Sequence, residues 1–334
     1  MSHRVTLIPG DGIGLEVTRA AKRVIDATGV AIEWAECEAG AEVFQRTGEA
    51  LPSETLDSIL ENKIALKGPV ATPSGTGYRS VNVRLRQRLD LYANFRPAKS
   101  LAGVPSRYED VDLMVIRENT EGLYSGLEHE VVPGVVESLR VITEKGSRRV
   151  VQFAFQTAVV YGRKRVTAVH KANILKKSDG LFLDVARQVS QNFPQIEYDE
   201  CIVDAAAMKL VLDPHQFDVL VMENLFGDIL SDLTSGLVGG LGLTPSGNLG
   251  DEMAVFEAVH GTAPDIAGQG KANPTALILS GALMLRRLQE TAAADQIETA
   301  VRKVIAEGQN VTGDLGGNAS TDRYVDAVIE ALQT

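Results

Sequence analysis

The segment 223–251, ENLFGDILSDLTSGLVGGLGLTPSGNLGD, constrains the fold more than any other part of the chain. It begins with a helical pattern and ends in a run of glycines. Asp228 and Asp232 are four residues apart, so a helix places them one turn apart on the same face. Two like charges at this spacing destabilise a helix by roughly a few tenths of a kcal/mol. A Mg²⁺ or Mn²⁺ ion, which prefers carboxylate oxygens, would offset this repulsion; a solvated acidic face is the alternative.

The apolar neighbours of this pair favour the metal site. Leu225, Ile229 and Leu233 also repeat every four residues and predict a buried stripe on the helix. This stripe would lie directly beside Asp228 and Asp232. Carboxylates at the border of a core need a partner, which a divalent cation would provide.

Length and charge limit the classes of partner. A chain of 334 residues is long enough for about two domains with a large core, and 44% hydrophobic with 23% charged residues is typical of an ordinary soluble protein. The net charge of -11 argues against a nucleic-acid partner, whose binding surface would be basic. No apolar run reaches the roughly 18 residues that a membrane-spanning helix needs. We therefore expect a small-molecule ligand, with no nucleic-acid and no membrane partner.

The cysteines and the start of the chain predict the compartment. Cys37 and Cys201 have no CxxC spacing, so they form neither a metal motif nor a disulfide framework, and they fit a reducing compartment. After Met1, three polar or basic residues lead directly into a predicted strand, which predicts that there is no secretory signal peptide. The expected location is cytoplasmic.

The first predicted strand, residues 5–9, runs into the glycine-rich turn GDGIG at 10–14 and then into a helix. This order is typical of a dinucleotide-binding motif. The spacing excludes that motif, because the fingerprint requires GxGxxG and the third glycine here is followed by Leu15 and Glu16. The turn predicts a tight βα loop near a ligand and no more.

Residues 81–89 form a predicted helix because their apolar residues are four apart. Ser80 stands near its start and Asn82 lies in its first turn. Helix N-termini bind anions through free N–H groups, so both residues are candidates for contact with an anionic ligand. A plain N-cap is the alternative for Ser80.

Arginines are frequent in the same region, and their side chains bind carboxylates through paired hydrogen bonds. Arg84 and Arg88 are one turn apart on one flank of the helix, which favours a solvated surface. Spacing does not decide between a ligand role and a surface role for Arg86, or for Arg96 beyond the helix.

Further candidates stand where predicted strands end. Arg117 and Tyr124 follow the mostly apolar strand 111–115, a usual place for function, although packing is the commoner role of a lone tyrosine. Lys171 follows the strand 166–169. Burial can lower the pKa of such a lysine for acid/base chemistry; an ordinary surface lysine is the alternative.

Asp204 stands at the end of another predicted strand, and the strand 219–222 leads into the helix with Asp228 and Asp232. Sites in α/β sheets lie at the carboxyl ends of strands. We therefore expect Lys171, Asp204 and the aspartate pair to meet.

The loop around His260 is rich in Gly, Thr and Pro and is predicted to be exposed, with Asp265 after it. A carboxylate near a nucleotide-binding loop accepts hydrogen bonds from ribose hydroxyls and repels a 2′-phosphate. A turn or capping role is the alternative for Asp265.

Six motifs, in order along nearly the whole chain, carry a resemblance to a known family: IPGDGIGLEV, RSVNVRLRQRLDLYANFRP, IRENTEGLYSG, VTAVHKANILKKSDGLF, NLFGDILSDLTSGLVGGLGLTPSGNLG and FEAVHGTAPDIAGQGKANPTALILS. Together they resemble the β-decarboxylating dehydrogenases, which comprise the isocitrate, homoisocitrate and isopropylmalate enzymes. The segments YSGLEHEVVPGVVESLRVIT, LDPHQFDVLVMENLFGDILSD and TPSGN resemble the NAD-dependent isocitrate members most.

The resemblance implies roles for the candidate residues. It implies an acid/base pair formed by Tyr124 and Lys171. The substrate would be bound by Ser80, Asn82, Arg86, Arg96 and Arg117, and a Mg²⁺ or Mn²⁺ ion by Asp204, Asp228 and Asp232. The NAD-binding residues would be His260, Gly261, Thr262, Ala263, Asp265, Ile266 and, beside the adenine, Asn273. NADP enzymes tend to carry Lys-Tyr where Asp265 and Ile266 stand.

The resemblance also implies an isopropylmalate-dehydrogenase-like α/β fold, with a large mixed sheet flanked by helices and no Rossmann fold. Residues 1–98 and 252–334 would form a large cofactor-binding domain, and residues 99–251 a small dimerisation domain. Lys171 and Asp204 would serve the site of the neighbouring copy of the chain. The resemblance therefore implies a homodimer or higher homo-oligomer with shared active sites.

The implied reaction is the NAD-dependent oxidative decarboxylation of isocitrate, a tricarboxylate. Isopropylmalate enzymes place an apolar residue at the position of Ser80, which argues against that substrate. Homoisocitrate stays open as an alternative, because one methylene typically discriminates by only about 1–3 kcal/mol. A non-catalytic regulatory subunit is the alternative from another class. Such a protein would have lost metal or base residues, whereas every matched position is intact here.

Overall fold

The computed structural model describes residues 2–73, 75 and 77–333. The strands are β1 (His3–Ile8), β2 (Ile32–Glu36), β3 (Ile64–Lys67), β4 (Ala93–Lys99), β5 (Asp112–Glu118), β6 (Gly122–Val132), β7 (Val135–Val141), β8 (Arg165–His170), β9 (Glu197–Ile202), β10 (Val219–Met222), β11 (Pro245–Leu249) and β12 (Ala254–Ala258). The α-helices are α1 (Gly14–Ala27), α2 (Ala41–Thr47), α3 (Ser53–Asn62), α4 (Val81–Arg88), α5 (Glu144–Val160), α6 (Ser178–Ser190), α7 (Val203–Leu212), α8 (Asn224–Leu237), α9 (Thr275–Arg287), α10 (Thr291–Glu307) and α11 (Thr321–Leu332). Within these described ranges, no helix has the length and apolar character needed to cross a membrane.

Ten of the described strands form one mixed sheet in the order β2-β1-β3-β12-β11-β4-β5-β10-β8-β9. The outer strands on each side are parallel, whereas β11 pairs antiparallel with β12 and β4, and β4 pairs antiparallel with β5. The two parallel halves therefore run in opposite directions. This large mixed sheet flanked by helices confirms the predicted fold class.

The two faces of the sheet are packed differently, because side chains alternate between faces along a strand. One face has a continuous apolar core against α1, α5, α6, α9, α10 and α11. On the other, the front face, the apolar residues form two separate cores, one against α7 and α8 and the other against α3 and α4. We call the region between these two cores, over the central strands, the cleft.

Apart from Ala98, the buried residues of the two front cores divide between the two predicted domains. The core at α7 and α8 draws its buried residues from 98–238, and the core at α3 and α4 from 8–91 with Val255. Both cores share one sheet, so the domain boundaries stay a prediction.

Helix α8 carries Asp228 and Asp232, but the apolar stripe predicted beside them is wrong. Ile229 is 58% exposed, and the buried face of α8 consists mainly of small and polar residues, among them Gly227. The spacing identified an apolar face of the helix, but periodicity does not say what covers that face.

Strands β6 and β7 form a separate antiparallel hairpin. Six of its apolar side chains are 49–64% exposed: Leu127, Val131, Val132, Val135, Val136 and Leu139. An isolated two-stranded hairpin is only marginally stable in water, so this one needs a contact that its own sheet does not provide.

Candidate active site

A row of buried polar side chains crosses the front face between its two cores. It consists of Lys67 on β3, Glu257 on β12, Asn248 on β11, Asn94 on β4 and Arg117 on β5. The strand register aligns Lys67 with Glu257, and aligns Asn248, Asn94 and Arg117 across three strands. Buried polar groups are rare unless they are paired, so this central polar row marks a candidate site. Lys67 and Glu257 were missed in the sequence, although a charged residue within an apolar strand was the available signal.

Two arginines of the cleft contact the aspartate pair of α8. The guanidinium of Arg117 pairs with Asp228. Arg96 on β4 donates from Nη1 to Asp232 at 3.0 Å and lies 3.6 Å from Asp228. The two arginines are 6% and 1% exposed, for Arg96 and Arg117 respectively. The structure thus brings together four of the residues that the sequence indicated.

Tyr124 belongs to the same cluster, because its hydroxyl donates a hydrogen bond to Asp228. The guanidinium of Arg117 lies 4.9 Å from the centre of the Tyr124 ring. Burial and the bond to Asp228 raise the pKa of the Tyr124 hydroxyl above 10.0. Arg117 and Tyr124 were predicted to follow a strand that ends at residue 115. They lie within β5 and β6, because both strands extend beyond their apolar patterns.

In the cleft, burial and neighbouring charges shift the pKa values of the aspartates in opposite directions. Burial by itself raises the pKa of Asp228, but Arg117, Arg96 and Arg86 outweigh it and lower the pKa below 3.8. Burial raises the pKa of Asp232 despite the attraction of Arg96. Burial, with the neighbouring arginines, lowers the pKa of Arg117 to about 9, which leaves it charged at neutral pH. The three arginines and Lys67 thus face three carboxylates, those of Asp228, Asp232 and Glu257. The excess of positive charge favours an anionic ligand.

Helix α4 forms as predicted and brings further polar groups to the cleft. Ser80 is its N-cap, since its Oγ accepts from the backbone N–H of Val83 at 3.5 Å. Arg86 is 7% exposed and lies 3.6 Å from Glu257. Among the described residues, Asn82 Oδ1 and Arg86 Nε are buried without a hydrogen-bond partner. Unpaired buried groups require an explanation, and a ligand with hydroxyl and carboxylate groups would pair both.

Lys171 and Asp204 pair with each other and not with the cleft. Over the ranges that the structure describes, no group of three or more His, Cys, Asp or Glu side chains could hold a metal ion. The prediction that Lys171, Asp204, Asp228 and Asp232 meet is therefore wrong for a single chain. Helix α8 turns back across β5 and β4 and carries its aspartates over the sheet, whereas Lys171 and Asp204 stay at the strand ends.

The donor chemistry of the cleft fits a hard divalent cation. The carboxylates of Asp228 and Asp232 are 35% and 52% exposed and stand one turn apart, and carboxylate oxygens are the ligands that Mg²⁺ and Mn²⁺ prefer. Two carboxylates do not complete such a site. The side chain of Asp204 is 70% exposed, so it is accessible to a second copy of the chain.

A cavity of about 570 Å³ lies beside the His260 loop, within the range of about 300–1,000 Å³ that is usual for ligand sites. Three of the predicted NAD-binding residues line it: His260, Ile266 and Asn273. Burial lowers the pKa of His260, so the imidazole is neutral. Its Nε2 is buried and has no partner among the described residues, which fits a bound cofactor.

The other predicted NAD-binding residues belong to the same loop but do not line this cavity. They are Gly261, Thr262, Ala263 and Asp265. Ala263 has φ +37, a left-handed conformation that is uncommon for a residue other than glycine. Such local strain is often found in ligand-binding loops.

Asp314 also lines this cavity, and the sequence analysis missed it. Its Oδ2 accepts a hydrogen bond from Asn273 Nδ2 at 2.8 Å, and its Oδ1 accepts one from Thr312. Asp314 therefore orients the amide of Asn273. The available signal was an aspartate in the glycine-rich turn DLGGNAST, which lies far from Asn273 in the sequence.

The glycine turn at 10–14 supports the His260 loop through its backbone. The N–H of Ile13 donates to Thr262 O at 2.9 Å. A Cβ on Gly12 would lie 2.1 Å from Thr262 O, and Gly12 has φ +59. Glycine at this position permits close packing of the two loops.

A comparison with protein families identifies the chain. The family model described as isocitrate/isopropylmalate dehydrogenase matches residues 4–328. The chain belongs to this family. The predicted family and the predicted class, an oxidoreductase, are confirmed.

Curated members of the family include both catalytic and regulatory proteins. The chain is 55% identical over 328 residues to a mitochondrial catalytic subunit of NAD isocitrate dehydrogenase from Arabidopsis thaliana, covering 98% of this chain and 88% of that protein. It is 53% identical over 331 residues to a mitochondrial regulatory subunit of NAD isocitrate dehydrogenase from Dictyostelium discoideum, covering 99% and 92%. It is 55% identical over 307 residues to a chloroplastic 3-isopropylmalate dehydrogenase from Solanum tuberosum, covering 92% and 86%.

The fold is also that of a solved family member. The crystal structure of isocitrate dehydrogenase from Methylococcus capsulatus superposes with a TM-score of 0.97 at 52% identity, covering 99% of this chain and 100% of that one. The prediction of a cytoplasmic location is wrong against these comparisons, because the isocitrate relatives from Arabidopsis and Dictyostelium are mitochondrial. Cysteine usage reports a reducing environment, and this does not distinguish one reducing compartment from another.

Proposed function

We propose that this chain catalyses the NAD-dependent oxidative decarboxylation of isocitrate to 2-oxoglutarate and CO₂. The observation that carries the proposal is the cleft in which buried Arg86, Arg96 and Arg117 converge beside Asp228 and Asp232. A hydroxy tricarboxylate has the groups that such a cleft recognises, because arginine binds carboxylates and a carboxylate-bound cation binds hydroxyl oxygens. The name of the Arabidopsis relative supports isocitrate and NAD.

Two groups complete the site. Asp228 and Asp232, together with Asp204 of a second copy, would hold Mg²⁺ or Mn²⁺, and the cavity beside His260 would hold NAD⁺ with Asp265 near the ribose. When bound, the cation supplies stabilisation of negative charge on the C2 oxygen, and NAD⁺ supplies the hydride acceptor.

The side chains of the protein bind the substrate and move two protons. Arg86, Arg96 and Arg117 bind its carboxylates and fix the orientation of C2. Lys171 of a second copy of the chain accepts the proton of the C2 hydroxyl as hydride leaves C2. After CO₂ has left C3, Tyr124 donates a proton to C3. Each transfer is general acid/base catalysis, which typically contributes about 10²–10⁴-fold to the rate.

Ser80 and Asn82 would contact the γ-carboxylate and select the substrate. As the N-cap of α4, Ser80 accepts through Oγ, which leaves its O–H free to donate to a carboxylate. The isopropylmalate dehydrogenase of Solanum tuberosum is as similar to this chain as the isocitrate relatives are, so overall identity does not select the substrate. In this proposal, the side chains of Ser80 and Asn82 determine which substrate is bound.

A homodimer with shared sites is part of the proposal. Lys171 and Asp204 lie apart from the cleft of their own chain, and their side chains pair with each other. The exposed apolar residues of the hairpin and of α8 support a contact between two copies, with Val136 at 64% and Ile229 at 58% exposure. Exposed apolar patches of this kind are typical of protein–protein interfaces.

The substrate is tested by kcat/KM for isocitrate and for homoisocitrate, measured with NAD⁺ and Mn²⁺. A preference for isocitrate above about 100-fold would be near the limit of discrimination for one methylene and is the expected result. Equal or reversed values would move the chain to homoisocitrate. Removal of the cation with EDTA should abolish turnover, and added Mn²⁺ should restore it.

A regulatory role stays as the second candidate, because the Dictyostelium relative is named as a regulatory protein at 53% identity. One measurement distinguishes the regulatory role from the catalytic role. A regulatory chain would bind isocitrate without turnover when purified alone, and would raise the activity of a catalytic chain that is added to it.

Shared sites are tested by complementation between two inactive variants, Lys171→Met and Asp232→Asn. In a mixed dimer with shared sites, one site combines the intact Lys171 of one copy with the intact Asp232 of the other. Mixing the two variants after dissociation should therefore restore activity, up to one active site per mixed dimer. If each site were built from one chain, every site would keep one defect and mixing would restore nothing.

A further inference from the structure

A chain of hydrogen bonds between buried amides crosses the sheet beneath the cleft. Arg96 Nε donates to Asn94 Oδ1 at 2.7 Å. Asn94 Nδ2 donates to Asn248 Oδ1 at 3.1 Å, and Asn248 Nδ2 donates to Glu257 Oε1 at 2.7 Å. The same Glu257 oxygen lies 3.6 Å from Arg86 Nη2. This amide chain thus connects Arg96 on β4 with Arg86 on α4.

The two ends of this amide chain determine the direction of every bond in it. Arg96 has only donors, so Asn94 must turn its carbonyl oxygen towards it. Ionised Glu257 has only acceptors, so Asn248 must turn its NH₂ group towards it. Each asparagine is then left with the opposite group, and these two groups meet. Rotation of either amide would therefore break at least two hydrogen bonds at once.

The amides are also held in place by the sheet. Asn94 is 0% and Asn248 is 2% exposed, so water cannot replace a lost partner. Asn94 Nδ2 also donates to Ser246 Oγ at 2.8 Å, and Asn248 Nδ2 to Val255 O at 3.2 Å. A buried polar group that loses its hydrogen-bond partner is destabilising, so the amide chain has one favourable arrangement.

We propose that Asn94 and Asn248 are positioning residues that hold Arg96 and Arg86 in a fixed relation across the cleft. The proposal rests on the proposed function, in which both arginines bind carboxylates of one substrate. Two carboxylates of one molecule have a set separation, so binding is tightest when the two guanidinium groups are already held at matching positions. The asparagines act through the arginines and do not touch the substrate.

The test compares Asn94→Ala, Asn248→Ala and a matched control, Asn119→Ala. Asn119 is 2% exposed and donates to the same Asn248 Oδ1 at 2.9 Å, but it lies outside the path between the arginines. Calorimetric affinity for isocitrate with Mn²⁺, steady-state kinetics and urea unfolding are measured for each variant. Loss of a buried hydrogen bond should lower the free energy of unfolding in all three.

The expected result separates positioning from stability. Asn94→Ala and Asn248→Ala should raise Kd and KM for isocitrate about tenfold or more, the equivalent of about 1.4 kcal/mol, with KM for NAD⁺ changed less than about twofold. Asn119→Ala should leave Kd and KM for isocitrate and KM for NAD⁺ near the wild-type values. A similar rise in Kd and KM for isocitrate in all three variants, or no rise in any of them, would overturn the proposal.

The double variant Asn94→Ala/Asn248→Ala gives a second test. Once one asparagine of the amide chain is removed, the loss of the other should weaken isocitrate binding little further. The double variant should therefore have about the same Kd for isocitrate as the single variant with the higher Kd. Fully additive losses would mean that the asparagines act independently, and would overturn the proposal.

A structural measurement keeps this proposal separate from the proposed function. In a crystal structure of Asn94→Ala, Arg96 should leave its present position, in which Nη1 lies 3.0 Å from Asp232. An unmoved Arg96 would overturn the proposal whether or not the enzyme oxidises isocitrate. Absence of turnover by the wild-type protein would overturn the proposed function and would leave this structural result to decide the role of Asn94.

Discussion

The side chain of Arg117 lies directly over Gly227 of α8, so that a Cβ atom on Gly227 would stand 2.5 Å from Arg117 Cγ. This contact lets the helix approach β5 closely enough for Arg117 to reach Asp228. Glycine in the interior of a helix costs about 0.5–1 kcal/mol relative to alanine. The fold therefore accepts a local cost at Gly227 to bring the helix that carries Asp228 over an arginine.

Gly227→Ala should consequently displace Arg117. We expect the free energy of unfolding to fall by about 1–3 kcal/mol, as for other overpacked sites, and KM for isocitrate to rise. Urea unfolding and steady-state kinetics measure both effects. Gly236→Ala on the same helix is the control, because a Cβ there meets no atom of the described residues within 4 Å. Unchanged stability and KM in Gly227→Ala would show that α8 yields without moving Arg117.

Ionisation of Glu257 should stabilise the fold at neutral pH. Burial by itself raises the pKa of Glu257, but Lys67 and Arg86 outweigh it and lower the pKa from 4.5 to about 2. A carboxyl with a lower pKa in the folded chain contributes stability above its unfolded pKa, and this stability is lost as the pH falls through the folded value. The contribution is therefore complete above about pH 4.5 and declines towards pH 2.

The measurement is urea unfolding of the wild type and of Glu257→Gln from pH 7 to pH 3. The stability difference between the two proteins should be largest at neutral pH and should shrink below about pH 4.5. A difference that stays constant down to pH 3 would contradict the low pKa of Glu257.

The acid/base roles predict selective losses in Lys171→Met and Tyr124→Phe. Each should lower kcat by about 10²–10⁴-fold, while Mn²⁺ still raises the melting temperature, because the carboxylates of Asp228 and Asp232 remain. Differential scanning fluorimetry with and without Mn²⁺ measures metal binding independently of turnover. Full activity in either variant would remove that residue from the mechanism.

Cofactor preference should depend on the His260 loop. Asp265→Lys with Ile266→Tyr removes a carboxylate that would repel a 2′-phosphate and adds a cation that would bind it. A hydrogen bond to a charged group contributes about 1.5–3 kcal/mol, so the NADP/NAD ratio of kcat/KM should rise by about 10- to 100-fold. An unchanged ratio would mean that the ribose lies away from Asp265.

Local patterns in the sequence predicted several parts of the site. The four-residue spacing of Val81, Leu85 and Leu89 correctly placed helix α4 with Ser80 at its start, because periodicity and capping are properties of adjacent residues. The same logic placed Asp228 and Asp232 on one helix face. It failed for Ile229, whose exposure depends on contacts that no local pattern contains.

By itself, the sequence determined the family, the glycine turn that departs from the dinucleotide fingerprint, and the residue types that the chemistry needs. Only the tertiary structure decided how these residues combine. It joined Arg96 to Asp232, joined Asn94 to Glu257 through Asn248, and kept Lys171 with Asp204 apart from Asp228. These relations follow from the order of strands in the sheet, where β4 and β11 are neighbours although about 150 residues separate them in the chain. Hydrogen bonds and charges act over a few ångströms in space, so the pairing of strands, and not distance along the chain, determines which residues interact.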